Sequence, residues 1–134
     1  MILFVDDERR HISSYVTELE ELGYKVICEN SVDQALHFLD KNRINLKLLI
    51  LDIMMPPGKS FKKMDTDEGR RTGIYFFEQV KERAPELCVI VLTNVADEDL
   101  MDRLREEDNC WYFQKKDYLP YEIAQEVKRI YPLS

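Results

Sequence analysis

Five short apolar runs alternate along this chain with five segments whose apolar residues recur at helical spacing, and that alternation leaves few folds open. Leu48-Leu49-Ile50-Leu51, closed by Asp52 and soon after by Pro56-Pro57, is too brief for a helix and reads as a strand buried on both faces, as in parallel sheets. Ile2-Leu3-Phe4-Val5 is a second such run and also ends in acid, at Asp6-Asp7-Glu8. A weaker alternation around Val26 and Cys28 spans residues 25–29, an unbroken run spans 88–92 and stops at Thr93-Asn94, and a last one spans 111–114 and stops at Lys115-Lys116. Between them lie the helical patterns. Ile12, Tyr15, Val16, Leu19 and Leu22 precede a stop at Gly23, and Val32, Ala35, Leu36 and Leu39 follow Ser31. Ile74, Phe77 and Val80 end before Pro85, Leu100, Met101 and Leu104 sit behind a capping Asp97, and Ile123, Val127 and Ile130 follow Pro120. Strict strand–helix alternation with right-handed crossovers predicts an α/β fold, a doubly wound five-stranded parallel sheet with helices on both faces. The fourth helix, short and charged with a thin apolar face, is expected to be the least firmly packed.

The 134 residues suit one domain, large enough to bury its core without disulfide or metal staples. Nineteen basic against 26 acidic residues give a formal charge of −7, which disfavours nucleic acid and anionic membrane as direct partners. Cys28, Cys88 and Cys110 are widely spaced and two fall in strand-like runs, so a reducing compartment is expected. The apolar stretch before Asp6 is far short of a signal core or a membrane span, and the chain is expected to be cytoplasmic. His11 and His37 have no cysteine at ligand spacing, which leaves zinc unsupported.

In an open parallel sheet, ligands sit at the carboxyl ends of the strands. Those ends deliver Asp6 and Asp7, Asp52, Thr93, and Lys115 or Lys116. An acid at one strand end is commonly a solvated cap; acids, a hydroxyl and an ammonium gathered at one edge form a chemically coherent set. Clustered carboxylates raise one another's pKa unless a cation intervenes, and hard oxygen ligands suit Mg²⁺. Asp52, ionised at neutral pH, can attack phosphorus without a general base and become an aspartyl phosphate. Mg²⁺ and the lysine then neutralise phosphoryl oxygens, and the Thr93 hydroxyl donates to one of them.

Phe4-Val5-Asp6-Asp7-Glu8, Leu51-Asp52-Ile53-Met54-Met55-Pro56, Thr72-Gly73, Val91-Leu92-Thr93-Asn94 and Tyr112-Phe113-Gln114-Lys115 occur in that order, and with them the whole chain resembles the receiver domain of two-component response regulators. The resemblance implies the flavodoxin-like strand order 2-1-3-4-5, a single receiver domain over residues 1–134, and phosphoryl transfer from a histidine kinase or phosphotransfer protein to Asp52. It implies Mg²⁺ held by Asp6, Asp7, Asp52 and the backbone carbonyl of Met54, with Thr93 and Tyr112 as switch residues. It also implies a response on the face of helix four, strand five and helix five, through an output protein or an output domain outside this chain, and with it a phosphorylation-dependent dimer. Spacing from Thr93, which also places Tyr112 three residues earlier where the family keeps its switch aromatic, selects Lys115 as the active lysine, against a count back from Pro120 that favours Lys116, which stands where the family keeps a proline.

Between Pro56 and Thr72 the family has only a few residues, so most of residues 58–71 are extra. A loop of that length is either a surface insertion or a functional flap, and here it is expected to restrict access to Asp52 or to add a partner surface. The main rival reading is a receiver-like interaction module that works without phosphorylation. An aspartyl phosphatase would carry its nucleophile on strand one with a second acid two residues on, and position 8 is Glu. A flavin module would need a turn after strand one that is not acidic.

Overall fold

The computed structural model describes residues 1–53, 72–94 and 96–133. The expectations for the 58–71 insertion and for the Met54 carbonyl lie outside the described residues. Among those residues the elements run β1 (Ile2–Val5), α1 (Arg9–Glu21), β2 (Val26–Glu29), α2 (Val32–Asn42), β3 (Leu48–Leu51), α3 (Thr72–Arg83), β4 (Cys88–Thr93), α4 (Glu98–Arg105), β5 (Cys110–Gln114) and α5 (Pro120–Ile130). A 3-10 turn, Lys115–Asp117, which periodicity does not reveal, joins β5 to the approach to α5.

The strands form one parallel sheet in the order β2-β1-β3-β4-β5, as the resemblance implied. Alternation along each strand splits the core into two layers. Leu3, Val5, Leu49, Leu51, Val89 and Val91 face α2, α3 and α4, where they meet Leu39, Phe76, Phe77 and Leu100. Ile2, Phe4, Leu48, Ile50, Ile90 and Leu92 face α1 and α5, where they meet Ile12, Leu19, Ile123 and Val127. All four residues of β1 and of β3 are buried. At about 1.5–3 kcal/mol for each fully buried large aliphatic side chain, these strands and the neighbouring β4, buried from Val89 to Thr93, anchor the fold.

The helix ends follow their chemistry. The Ser31 side chain accepts from the Gln34 amide at 3.2 Å and Asp97 Oδ1 from the Leu100 amide at 3.0 Å, each relieving an unsatisfied first-turn donor. Pro120 opens α5, where no amide partner is needed. Gly23 ends the approach from α1 with φ +99°, a conformation that side chains with a Cβ rarely adopt. None of the three cysteines is in a disulfide, and no helix among the described residues is long and apolar enough to cross a membrane.

Candidate functional site

Parallel pairing brings the carboxyl ends of β1, β3, β4 and β5 to one edge of the sheet, so side chains just past those ends become neighbours. The Asp6 amide donates to Glu29 O at 3.2 Å and the Asp52 amide to Val5 O at 3.0 Å, which extends the ladder by one residue and fixes both acids. Asp6 Oδ1 accepts from the Glu8 amide at 2.9 Å. Its Oδ2 accepts from Lys115 Nζ at 2.9 Å, and the same ammonium donates to Asp52 Oδ2 at 3.2 Å. Thr93 Oγ1 donates to Asp52 Oδ1 at 2.9 Å. Asp6, Asp52 and Thr93 are 1%, 8% and 0% exposed, so these are interior contacts in which an unpaired charge would be costly.

Burial alone would lower the Lys115 ammonium, but Asp52 and Asp6 outweigh it and hold the group above its ordinary value. Asp7 lies at the rim. Partial burial and then the charges of Asp6, Glu8 and Asp52 push its carboxyl up. The edge therefore carries an excess of negative charge that a single ammonium does not remove.

The family model for the response regulator receiver domain matches residues 2–128. This chain belongs to that family. It is a receiver domain of two-component signalling, and receiver domains interact with histidine kinases or phosphotransfer proteins. Its fold is similar to that of a response regulator receiver domain protein from Clostridium thermocellum, with a TM-score of 0.72, 21% identity, and 96% of this chain and 91% of that one covered. A response regulator from Thermotoga maritima gives a TM-score of 0.71 at 22% identity, over 96% and 94% of the two chains. The BeF3-activated receiver domain of DrrB, also from Thermotoga maritima, gives 0.69 at 23% identity, again over 96% and 94%. No curated protein matches the chain.

Of the residues expected at the receiver site, Asp6, Asp52, Thr93 and Lys115 are brought into direct contact, and Asp7 borders them. Lys116 is exposed while Lys115 reaches inward, because Lys115 begins the 3-10 turn immediately after the last paired strand residue, Gln114. Tyr112, on β5, is close enough to feel the charge of Asp52. Its hydroxyl is held by the Asp97 amide at the start of α4 and by the Gln114 side chain, and partial burial raises its pKa. Among the described residues, no group of three His, Cys, Asp or Glu side chains by itself forms a metal-ion cage.

One neighbour was not legible in the sequence. Tyr15, read there as part of the apolar stripe of α1, is 8% exposed and packs on Phe4 with ring centroids 6.2 Å apart. Its hydroxyl, raised chiefly by burial, feels the charges of Lys115 and Asp6. The signal available was a polar-tipped aromatic at a buried position, which periodicity counts as simply apolar.

Proposed function

We propose that Asp52 is the phosphoacceptor of this receiver domain and that residues 1–134 work as one unit around it. The observation that carries this reading is the Lys115 ammonium bridging Asp6 and Asp52 while Thr93 donates to the other oxygen of Asp52. A carboxylate oxygen of Asp52 attacks the phosphorus of a phosphohistidine; the P–N bond breaks, and the imidazole leaves with the electron pair and takes up a proton. Lys115 then pairs with a phosphoryl oxygen and Thr93 turns its hydroxyl to another, so both side chains act on charge that develops at the acceptor.

Mg²⁺ fits the donors. Asp6, Asp7 and Asp52 are hard oxygen ligands, and burial together with the charges of Asp6, Glu8 and Asp52 holds the Asp7 carboxyl up, an uncompensated negative edge that suits a hard divalent cation. Asp6, Asp7 and Asp52 would hold it, with the Met54 carbonyl as the further ligand that the family implies. When bound, it supplies positive charge next to the transferring phosphoryl group. Thr93 leaving Asp52 changes the packing toward Tyr112 and biases the α4, β5 and α5 face between two arrangements, which an output partner or a phosphorylation-dependent dimer reads. Residues 58–71 restrict access to Asp52 or add a partner surface.

Incubation with acetyl phosphate and Mg²⁺ followed by intact-mass analysis should show one phosphoryl group, and Asp52→Asn should abolish it. Trifluoroberyllate, the reagent that names the activated DrrB domain, should shift amide resonances at Thr93 and Tyr112 in the wild type alone. An unlabelled wild type with both acetyl phosphate and a phosphohistidine donor would favour the interaction module that works without phosphorylation.

A further inference from the structure

We infer that β2 is a homodimerisation strand, through which a second copy of this chain continues the sheet in an antiparallel sense. This inference does not rest on the phosphoacceptor reading. β2 is one edge of the sheet, and its pairing with β1 runs without a bulge from Ile2↔Val26 to Val5↔Glu29. Natural edge strands are usually blunted by short length, charge, proline or a bulge. β2 is short and has no proline or bulge, the charges Lys25, just before it, and Glu29 are opposite in sign and close the two ends of apolar Val26-Ile27-Cys28, and all four residues of β2 are only partly buried. Beside it runs an open groove of about 510 Å³ in which Ile12, Val16, Val26, Ile27 and Cys28 are joined by the polar Ser13 and Thr17 of α1.

The occupant follows from symmetry. The Ile2 amide bonds Lys25 O at 2.8 Å and the Asp6 amide bonds Glu29 O at 3.2 Å, so residues 25, 27 and 29 direct their backbone groups toward β1. Val26 and Cys28 therefore direct theirs to the open edge. A two-fold axis perpendicular to an antiparallel pair must pass between a residue and its own copy, because directly opposite pairs alternate between two hydrogen-bonding types. Centred on Ile27, the pairing sets Val26 against Cys28 of the other copy in the hydrogen-bonded positions and Ile27 against itself in the closer, non-hydrogen-bonded position. It also sets Lys25 directly opposite Glu29, twice. Centring on Val26 or Cys28 instead sets one of those charges against Ile27. The strand is thus self-complementary in charge in one register only.

The two faces agree with this. Val26 and Cys28 pack toward the α1 and α5 layer and Ile27 toward the α2 layer. Docking brings apolar Val26 and Cys28 of the copy to the groove beside α1, while Lys25 and Glu29 flank Ile27 on the opposite face. β5, the other edge, carries Cys110-Trp111-Tyr112-Phe113-Gln114, with no charge to select a partner strand.

Sedimentation equilibrium of the full chain should show a monomer–dimer equilibrium that persists in Asp52→Asn. Lys25→Glu or Glu29→Lys alone places like charges opposite each other at both ends, and each should weaken dimerisation by about tenfold or more. The double exchange Lys25→Glu with Glu29→Lys should restore it, which also shows that the single variants do not act through misfolding. Register is tested by oxidation: Ile27→Cys should cross-link two copies, since its copy lies directly opposite, whereas Lys25→Cys should not. A chain that is monomeric throughout, charge variants whose double exchange fails to restore the dimer, or cross-linking that does not distinguish positions 27 and 25 would each overturn the inference.

Discussion

At the site edge, Asp7 is the residue whose charge is least compensated. Its carboxyl is raised by partial burial and by Asp6, Glu8 and Asp52. A group whose folded pKa lies above its unfolded value favours the folded state most when protonated, so its contribution is full below about pH 4 and is lost as pH rises through the folded value. Asp7→Asn should therefore stabilise the metal-free protein at pH 7. Asp7 is exposed, so the screened gain is about a few tenths of a kcal/mol, and it should disappear below about pH 4. With Mg²⁺ bound as proposed the order should reverse: the wild type should gain about 1.4 kcal/mol when free Mg²⁺ is about ten times its Kd, and the variant less. Urea midpoints with and without Mg²⁺ read both effects; a variant that is more stable in both conditions would remove Asp7 from the proposed ligand set. The acids and Thr93 were legible because each closes an apolar run. Lys115 was selected over Lys116 only by the family's spacing, since which of them faces inward depends on a 3-10 turn that no hydrophobic period encodes.

Between elements, a close backbone approach joins the segment after β3 to the start of α3. The Gly73 amide donates to Ile53 O at 3.1 Å, and a Cβ built on Gly73 would lie 2.2 Å from Ile53 Cα, backbone that cannot move aside. Gly73→Ala should cost about 3 kcal/mol or more in urea unfolding, the upper range for overpacking, because α3 must shift off the sheet next to Asp52. A loss below about 1 kcal/mol would mean that the helix start adjusts freely. Thr72-Gly73 stood out in the sequence as a motif, yet its steric reason lies in Ile53, which periodicity treats as ordinary core. The expected thin packing of α4 shows the same limit. Its buried residues are Leu100 and Leu104, but Arg103 donates to Glu78 at 2.9 Å and to Glu107 at 2.8 Å and sits 5.4 Å from the Phe77 ring centroid. Lys81, also buried, donates to Pro85 O at 2.8 Å and to Asn109 Oδ1 at 3.0 Å, tying α3 to the start of β5. The ties from Arg103 to Glu78 and from Lys81 to Asn109 join residues 25 and 28 positions apart in the chain, and no local pattern announces them.

Across the whole molecule, Met1, the turn after α1 and the residue after α5 are held together through two tyrosines. The Tyr24 hydroxyl donates to Tyr131 O, the rings lie 5.4 Å apart, and the Met1 ammonium donates to the Tyr131 hydroxyl at 3.3 Å. Burial and then Tyr131 raise the Tyr24 hydroxyl; burial chiefly raises Tyr15 and Tyr112, and pushes Cys110 up to about 11. Each of these groups folds best in its neutral form. Their contributions are intact below the unfolded values, about 8.5 for the thiol and about 10 for the phenols, and fade as pH climbs through the folded ones. Lys115, raised on balance by Asp52 and Asp6 against its burial, adds a loss in the same direction at higher pH. Stability should thus hold through neutral pH and fall steeply above about pH 10, since buried phenolates and a discharged Lys115 then strain both layers of the core together. Tyr24→Phe separates one contributor from the rest. At pH 7 it loses the bond to Tyr131 O and should be about 1 kcal/mol less stable. Above pH 10 the wild type must also bear the ionisation of Tyr24, which the variant cannot undergo, so the gap between their urea midpoints should narrow. A gap that stays constant from pH 7 to about pH 11 would show that the Tyr24–Tyr131 contact does not depend on the protonation of Tyr24.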